Sequence, residues 1–350
     1  MAASAGLAAP AVSVAQTTTW RFQSAWPAKV IFQEFAVDTC RRIEQNTGGK
    51  LKIQMLASGA VVPPFQVPDA VSKGTLDGGH TLPVFGFGRN TAFGLFGAGP
   101  NFGMDSNQLL GWVEHGGGKQ LYAELLAAAK LEVVSFLHGS VITEPFGWFR
   151  KEIKGPDDLK GLKYRTAGLA VDMMKELGAA PVQMAPTDTL PALERGVIDA
   201  AEYANPTDDR LVGFPDVAKN YYLQSYHMAN TLFELLFNKA KFDALPAEMK
   251  EAVHTAVLAS NSDIAWKSMD RMSTDLIDMQ SKNGVKVHRT PASILAAQLD
   301  AWTRVIAHRS AENPLFAKII DSQKAWAKKV VYWSEIMTVD AQAPYRKFLG

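Results

Sequence analysis

The chain has 350 residues, of which 47% are hydrophobic and 20% charged, as in an ordinary globular protein long enough for two domains. Lys and Arg total 36 against 35 for Asp and Glu, so the formal net charge is only +1. Neither a basic patch nor an aromatic-basic motif indicates a nucleic-acid partner. The single cysteine, Cys40, cannot form an internal disulfide. These features disfavour a nucleic-acid binder and exclude an internal disulfide.

The first 16 residues differ in kind from the rest. Residues 2–16 are small and mostly apolar, end in Val-Ser-Val-Ala-Gln, and precede the first basic residue, Arg21. The run resembles the end of a secretory signal peptide cleaved near Ala15, although the charged n-region is missing. The alternative is a disordered alanine-rich tail. No later run approaches the roughly 20 apolar residues of a spanning helix, so we expect a soluble, exported protein.

The following elements predict a first α/β domain. Alternation and helical periodicity give, in order, a strand at 18–26, a helix at 28–44, a strand at 51–56, a helix at 68–73 and a strand at 76–80. This β-α-β-α-β order is typical of a largely parallel sheet with helices on both faces. A glycine- and phenylalanine-rich stretch follows, and its Gly86-Phe-Gly88 lacks the spacing of a nucleotide loop.

A second domain of the same class comes next, after a helix at 106–129 and a strand at 131–138. Its elements are strands at 147–150, 162–165, 180–184 and 197–203, with helices at 170–177 and 187–193. Beyond Asn238 the pattern is almost wholly helical, with one very long helix at 247–283 and at least two more at 294–334. We expect this last third to brace the two α/β lobes.

Arg165 is the strongest candidate for a binding residue. It ends the predicted strand at 162–165, and ligands bind at the carboxyl ends of strands in open α/β sheets. A forked, permanently charged guanidinium at that place is a natural receptor for a carboxylate or another planar oxyanion.

Other strand-end side chains suit the binding of a small anion without altering it. They are Trp26, His80, Glu144, Glu202, Tyr203 and Asn205. Two roles are open for the carboxylates: they orient the guanidinium, or they hold a cation that bridges protein and ligand. A simple ion pair between Glu202 and Arg165 is the plain alternative. The seven histidines are scattered, and no hydrolase or metalloprotease motif is present.

Three stretches carry a specific family resemblance. They are Gly147-Trp-Phe-Arg-Lys-Glu-Ile, Asp157-Asp-Leu-Lys-Gly-Leu-Lys-Tyr-Arg165, and Ala192-Leu-Glu-Arg-Gly-Val-Ile-Asp-Ala-Ala-Glu-Tyr203 with Pro206 and Asp209. They resemble the periplasmic substrate-binding subunits of TRAP transporters, the DctP-like family. The likeness covers about residues 18–350. It implies two α/β lobes with mixed sheets, a cleft between them, a long interlobe helix, and a salt bridge from Arg165 to the substrate carboxylate.

The nearest branch looks like the one that binds 2-oxo or 2-hydroxy monocarboxylates with a metal ion, and it usually has a Tat-type export signal. Three positions depart from that branch. Glu144 stands where it has glutamine, Tyr203 where it has tryptophan, and Met228 near its metal-binding glutamate. Methionine is a poor ligand for a hard cation, so Glu144 either supplies the missing charge or the metal is absent.

The resulting hypothesis is an extracytoplasmic solute receptor in the periplasm. It binds a small organic acid and delivers it to the permease subunits of a TRAP transporter in the membrane. The residues expected to contact the substrate are Arg165, Glu144, Tyr203, Asn205, Trp26 and His80. A calcium or sodium ion is expected to be bound by Glu144, Glu202 and Tyr203. Residues 17–142 are expected mainly in lobe 1, 143–235 mainly in lobe 2, and 236–350 in the bracing region. The alternatives are a lyase or isomerase with Glu144 or Glu202 as base, and a sensory receptor. A homodimer through the C-terminal helices is left open.

Overall fold

The computed structural model describes residues 17–142 and 144–349, so the predicted signal remnant at 2–16 lies outside the described residues. Within these ranges the strands are β1 (Thr18–Ser24), β2 (Leu51–Leu56), β3 (Gly78–Thr81), β4 (Val133–Ile142), β5 (Gly147–Phe149), β6 (Lys163–Arg165), β7 (Ala180–Val182), β8 (Ala200–Ala201), β9 (Asn220–Tyr222), β10 (Asn230–Asn238) and β11 (Lys286–His288).

Helices connect and cover these strands. They are α1 (Ile31–Asn46), α2 (Val67–Ser72), α3 (Ser106–His115), α4 (Gly118–Ala128), α5 (Leu169–Glu176), α6 (Pro186–Glu194), α7 (Pro206–Val212), α8 (Phe214–Val217), α9 (Lys239–Asp243), α10 (Ala247–Lys282), α11 (Ala292–Glu312), α12 (Pro314–Met337) and α13 (Gln342–Phe348). Among the described residues, no helix is both long and apolar enough to cross a membrane.

The first sheet, in the order β2-β1-β3-β10-β4, forms lobe 1. β1 runs parallel to both β2 and β3, as the β-α-β-α-β pattern predicted. The fourth strand, β10, is antiparallel to β3 and β4 and was not predicted from the sequence. Its run from Asn230 to Phe237 is buried throughout, so it lacks the alternation that identifies a half-exposed strand.

The second sheet, in the order β11-β9-β5-β8-β6-β7, forms lobe 2. β6 is parallel to β7 and β8, whereas β5 is antiparallel to β8 and β9. Both sheets are therefore mixed, which confirms the predicted α/β fold class. Sheet 2 also contains β11, so the stretch beyond Asn238 is not purely helical.

The long helix α10 confirms the single helix predicted at 247–283. It packs against α1 and β4 of lobe 1 and against α7 of lobe 2. Arg210 on α7 forms ion pairs with Asp275 at 2.6 Å and Asp278 at 3.0 Å, both on α10. A buried hydrophobic cluster also joins α3 and α4 to α5, α11 and α12, so the C-terminal helices contact both lobes.

The predicted helix at 106–129 is two helices instead of one. Gly117 adopts the left-handed region, with φ of +90°, and separates α3 from α4. Glycine enters this region without the steric cost that a Cβ would add. Sequence periodicity continues across the break because α3 and α4 both bury leucine and aromatic side chains in the same cluster.

Candidate functional site

The ends of two neighbouring parallel strands place Arg165 beside Glu202. Arg165 is the last residue of β6, and Glu202 directly follows β8. The register pairs Arg165 with Ala201, so the two strands end side by side. Both charged side chains are almost completely buried, at 3% and 2% exposure. The carboxyl ends of β6 and β8, where ligands bind in open α/β sheets, therefore hold a buried ion pair at this edge of sheet 2.

The Arg165 guanidinium has a defined set of partners. Nη1 donates to Oε1 and to the backbone oxygen of Glu202, each at 3.0 Å, and Nη2 donates to the Met184 oxygen at 3.1 Å. The buried Nε–H has no hydrogen-bond partner among the residues that the structure describes. Since a guanidinium has five N–H donors, Nε and one N–H of Nη2 are left. Nε and Nη2 share one edge of the planar group, so that edge matches the two oxygens of a carboxylate.

Glu144 approaches the same point from the segment between β4 and β5. Its N–H donates to the Met228 oxygen at 3.1 Å, and its Oε1 accepts a 2.8 Å hydrogen bond from the Thr231 hydroxyl on β10. Gly147 makes the approach feasible: it has a φ of +111°, and a Cβ there would lie 2.2 Å from the Ala201 oxygen. Only glycine lets β5 pass so close to the end of β8.

The carboxyl groups of Glu144 and Glu202 are within hydrogen-bonding reach of each other. Burial, and then repulsion from Glu202, raises the pKa of Glu144 well above its ordinary value. Burial also raises the pKa of Glu202, although the nearby Arg165 charge lowers it. Two buried carboxyls in contact cannot both ionise cheaply unless a cation or a proton lies between them.

A third side chain, His227, reaches this pair. One ligand atom each from Glu144, Glu202 and His227 lie within 4.8 Å of one another, and all three residues are buried. Burial lowers the pKa of His227 to about 3, which keeps the imidazole neutral. A neutral imidazole with two carboxylates is a set of groups that could hold a metal ion.

A cavity between the lobes opens onto these groups. Trp26, Phe85 and Tyr203 form apolar walls, and Arg165 and Glu144 are among its polar lining. The space open to the centres of water-sized molecules is about 50 Å³. Since one water needs roughly 10–15 Å³ by this measure, the cavity suits a ligand of only a few non-hydrogen atoms.

The structure brings four of the six predicted substrate residues to the cavity: Arg165, Glu144, Tyr203 and Trp26. His80 lies behind Trp26, whose indole Nε1 donates to His80 Nδ1 at 2.7 Å. The side-chain oxygen of Asn205 accepts from the N–H groups of Thr207 and Asp208, and so caps α7. Neither His80 nor Asn205 is among the cavity-lining residues.

Sequence reasoning missed two polar residues of the cavity lining, Thr231 and Asp208. Asp208 accepts a 2.6 Å hydrogen bond from the Ile31 N–H at the start of α1, across the cleft. The apolar run of β10 is a signal that could have revealed a buried strand containing Thr231. Nothing local in the sequence indicates that Asp208 meets α1, because 177 residues separate the two partners.

Comparison with known proteins identifies the family. The model of the bacterial extracellular solute-binding protein family 7 (DctP) matches residues 22–312. The chain belongs to this family. Proteins of the family are periplasmic receptors of transporters for small organic acids and are not enzymes, so the lyase or isomerase reading has no support.

Two relatives support the same placement. A monocarboxylate 2-oxoacid-binding periplasmic protein of Nostoc sp. (strain PCC 7120) is 29% identical over 91% of this chain and 86% of its own length. A TRAP transporter solute-binding protein from Bordetella bronchiseptica is 32% identical, with a TM-score of 0.86 over 92% of this chain and 95% of its own. Its crystal structure is a mixed-occupancy dimer with copurified calcium and picolinate in one active site.

A second solved relative adds another ligand. The TRAP periplasmic solute-binding protein from Pseudoalteromonas atlantica, 27% identical, has a TM-score of 0.87 over 96% of this chain and all of its own, and was solved with sodium and pyruvate. The two-lobed fold and the TRAP receptor family are therefore confirmed for this chain.

Proposed function

We propose that this chain is the receptor for a 2-oxo or 2-hydroxy monocarboxylate, which it delivers to TRAP membrane permease subunits. The free Nε–Nη2 edge of Arg165 carries the proposal, because it is a buried, charged fork with room for one carboxylate. The acids bound by the relatives, pyruvate and picolinate, each carry one carboxylate beside a second polar atom. The small volume of the cavity favours compact acids.

The substrate residues in this proposal are those at the cavity, with two supporting side chains. The acid's carboxylate pairs with Arg165, while Trp26 and Tyr203 enclose its carbon skeleton. His80 and Asn205 support the site from behind, through Trp26 and through α7. Lobe 1 is mainly residues 17–142, lobe 2 mainly 143–235, and residues 236–350 brace both.

An ion beside the acid is part of the same proposal. In the described part of the chain, the charged groups lining the cavity are three carboxyls, from Glu144, Glu202 and Asp208, and the guanidinium of Arg165. An anionic ligand adds a further carboxylate to this set, so a bound cation in place of a shared proton lowers the electrostatic cost of its entry. Glu144 and Glu202 fit such an ion, with Tyr203 beside them, and relatives contain calcium or sodium.

Export is also proposed, by a Tat-type signal that includes residues 2–16. Those residues lie outside the part of the chain that the structure describes.

Arg165→Lys tests the carboxylate assignment. Lysine keeps the charge but loses the fork, so we expect affinity for the acid to fall by about 1.5–3 kcal/mol, roughly 10- to 150-fold. A thermal-shift screen of organic acids, with and without calcium or chelator, identifies the ligand, and calorimetry then compares the variants. Arg195→Lys, at an exposed arginine after α6, is the matched control. An Arg165→Lys protein that binds the acid as tightly as the original chain would contradict the proposal.

A further inference from the structure

A second groove lies outside the acid-binding cavity, along one edge of sheet 1. β4 is the last strand of that sheet, so its side away from β10 has no strand partner among the described residues. Every position from Leu131 to Leu137 lines the groove. Because successive side chains of a strand point to opposite faces, a groove lined by all of them runs along the strand's edge. The space open to the centres of water-sized molecules is about 360 Å³, against about 50 Å³ in the acid-binding cavity.

The hydrogen-bond register shows which backbone groups of β4 face the groove. The Lys239 N–H donates to the Glu132 oxygen at 3.1 Å, so these two residues form a hydrogen-bonded pair. Such pairs alternate along an antiparallel ladder, and the N–H and C=O groups of Val133, Ser135 and Leu137 therefore point away from β10. None of these groups forms a hydrogen bond with another segment of the described chain. A regular row of unpaired donors and acceptors is complementary to another extended backbone.

The open part of the edge is short. The next outward N–H, that of Gly139, is already occupied, because it donates to Oδ1 of Asn261 on α10 at 2.6 Å. From Val133 to Leu137 the strand extends over roughly 14 Å, the length of about five residues. The edge therefore suits a short extended segment.

Helix α4 forms the opposite wall of the groove. Its lining residues recur at the spacing of one helical face and are Lys119, Tyr122, Ala123, Leu126 and Ala127. Ala123 and Ala127 are exposed, and their short side chains leave the space beside β4 open. Addition of a strand to an exposed sheet edge is a recurring mode of peptide recognition. Here the helix limits the space to a single strand, so the edge of a second sheet does not fit.

The side chains of the groove favour an uncharged occupant. Among the described residues, the charges that line it cancel, with Glu114 and Glu132 against Lys119 and Lys239. The stretch 133–137, Val-Val-Ser-Phe-Leu, contains neither the charges nor the proline that commonly protect an edge strand from pairing.

We propose that this groove binds an extended, uncharged segment of a partner protein, which adds a sixth strand to sheet 1. Its backbone pairs with the outward groups of Val133, Ser135 and Leu137, and every second side chain packs against Tyr122 and Leu126 of α4. The groove and the acid-binding cavity have no lining residue in common, so the site does not depend on the acid.

A synthetic peptide tests the strand pairing. Fluorescence anisotropy measures the binding of a fluorescein-labelled six-residue peptide, with alternating valine and threonine, to the full chain. Two further peptides carry N-methyl groups either on the valines or on the threonines. Because an added strand pairs through alternate amides, we expect one methylated peptide to bind like the parent and the other at least about 10-fold more weakly. Equal affinities of the two methylated peptides, as for a merely apolar contact, or no binding of the parent would overturn the proposal.

Variants of α4 locate the site. Ala127→Trp fills the groove, so we expect affinity for the parent peptide to fall at least about 10-fold. Ala128→Trp, at an exposed neighbour that does not line the groove, is the matched control. Both variants should keep the thermal unfolding and the acid affinity of the original chain. Unchanged peptide affinity in folded Ala127→Trp contradicts the assignment. If light scattering shows that Ala127→Trp changes the oligomeric state, a second copy occupies the groove and the proposal is wrong.

Amide hydrogen exchange, followed by NMR, reads the site in the unsubstituted chain. We expect the peptide to slow exchange at Val133, Ser135 and Leu137, and to change Val134 and Phe136 little, since their amides already pair with β10. Slower exchange confined to other parts of the chain would place the peptide elsewhere and overturn the proposal.

Discussion

Behind the cavity wall, His80 holds the indole of Trp26 through a buried hydrogen bond. Burial and the neighbouring His138 lower the pKa of His80 well below its ordinary value, so the imidazole is neutral. Because the indole N–H only donates, His80 Nδ1 accepts and its Nε2 carries the hydrogen. The orientation of a cavity-lining aromatic ring thus depends on a residue that does not line the cavity.

Two substitutions at His80 distinguish the contribution of its hydrogen bond to Trp26 from the contribution of its packing. His80→Leu leaves the indole N–H without an acceptor, which costs about 1–3 kcal/mol. We expect this cost to be divided between the free energy of unfolding and the affinity for the acid. His80→Asn keeps an acceptor near the Nδ1 position, and we expect it to recover most of the lost affinity. Calorimetry and thermal unfolding measure the two parts. Equal acid affinities for the two variants would mean that the aromatic contacts of Trp26 with Phe32 and Phe233 suffice to hold it.

Between elements, Asp208 connects the lobes. It lies on α7 beside sheet 2, yet it accepts the Ile31 N–H at the start of α1, which packs on sheet 1. The N-cap residue of α1, Val30, has no side chain that could cap the helix. A carboxylate at a helix N-terminus also interacts favourably with the helix dipole. The helix therefore takes its cap from the opposite lobe, and separating the lobes would break this hydrogen bond.

Asp208→Ala should weaken ligand binding more than an ordinary cap loss does. Losing an N-cap costs about 0.5–2 kcal/mol, and here the cost falls on the closed form, so we expect acid affinity to drop about 2- to 30-fold. Asp105→Ala is the matched control, because Asp105 caps α3 within lobe 1. Small-angle scattering of ligand-free protein should show a larger radius of gyration for Asp208→Ala only. Equal losses of acid affinity in the two variants would contradict a role in closure.

At the scale of the whole molecule, α12 exposes an apolar face toward its C-terminal end. This face consists of Tyr332, Trp333, Ile336 and Met337, which are 59–64% exposed. Contiguous exposed apolar patches of this kind are typical of protein interfaces. We therefore expect a second copy of this chain to cover the face, which is the homodimer through the C-terminal helices that the sequence left open.

The double substitution Trp333→Asp with Ile336→Asp should convert the dimer to a monomer, because two charges per chain would have to be buried in the contact. Light scattering coupled to size-exclusion chromatography measures the mass over a range of concentrations. Val197→Glu, at an isolated exposed apolar residue, should leave the dimer intact. A monomeric unsubstituted chain, or a double variant that stays dimeric, would refute the assignment.

Local patterns in the sequence predicted many of the strands and helices of the fold. Alternation and helical periodicity predicted the parallel strands β1, β2 and β3 and the long helix α10, because each of these patterns lies within a single segment. They missed β10, whose residues are buried on both faces, and the short strands β9 and β11, which have too few residues for a pattern. The break between α3 and α4 was missed because both helices face one core.

The sequence by itself determined the family and placed Arg165, Glu202 and Tyr203 at strand ends, since register and strand direction follow from local chemistry. Only the tertiary structure decided which groups meet there. Arg165 has one free edge because Glu202 and the Met184 oxygen occupy its other donors, and His227 reaches Glu144 from a distant loop. Asp208 likewise meets α1 only through folding. Such contacts join residues far apart in the chain, and no local pattern encodes them.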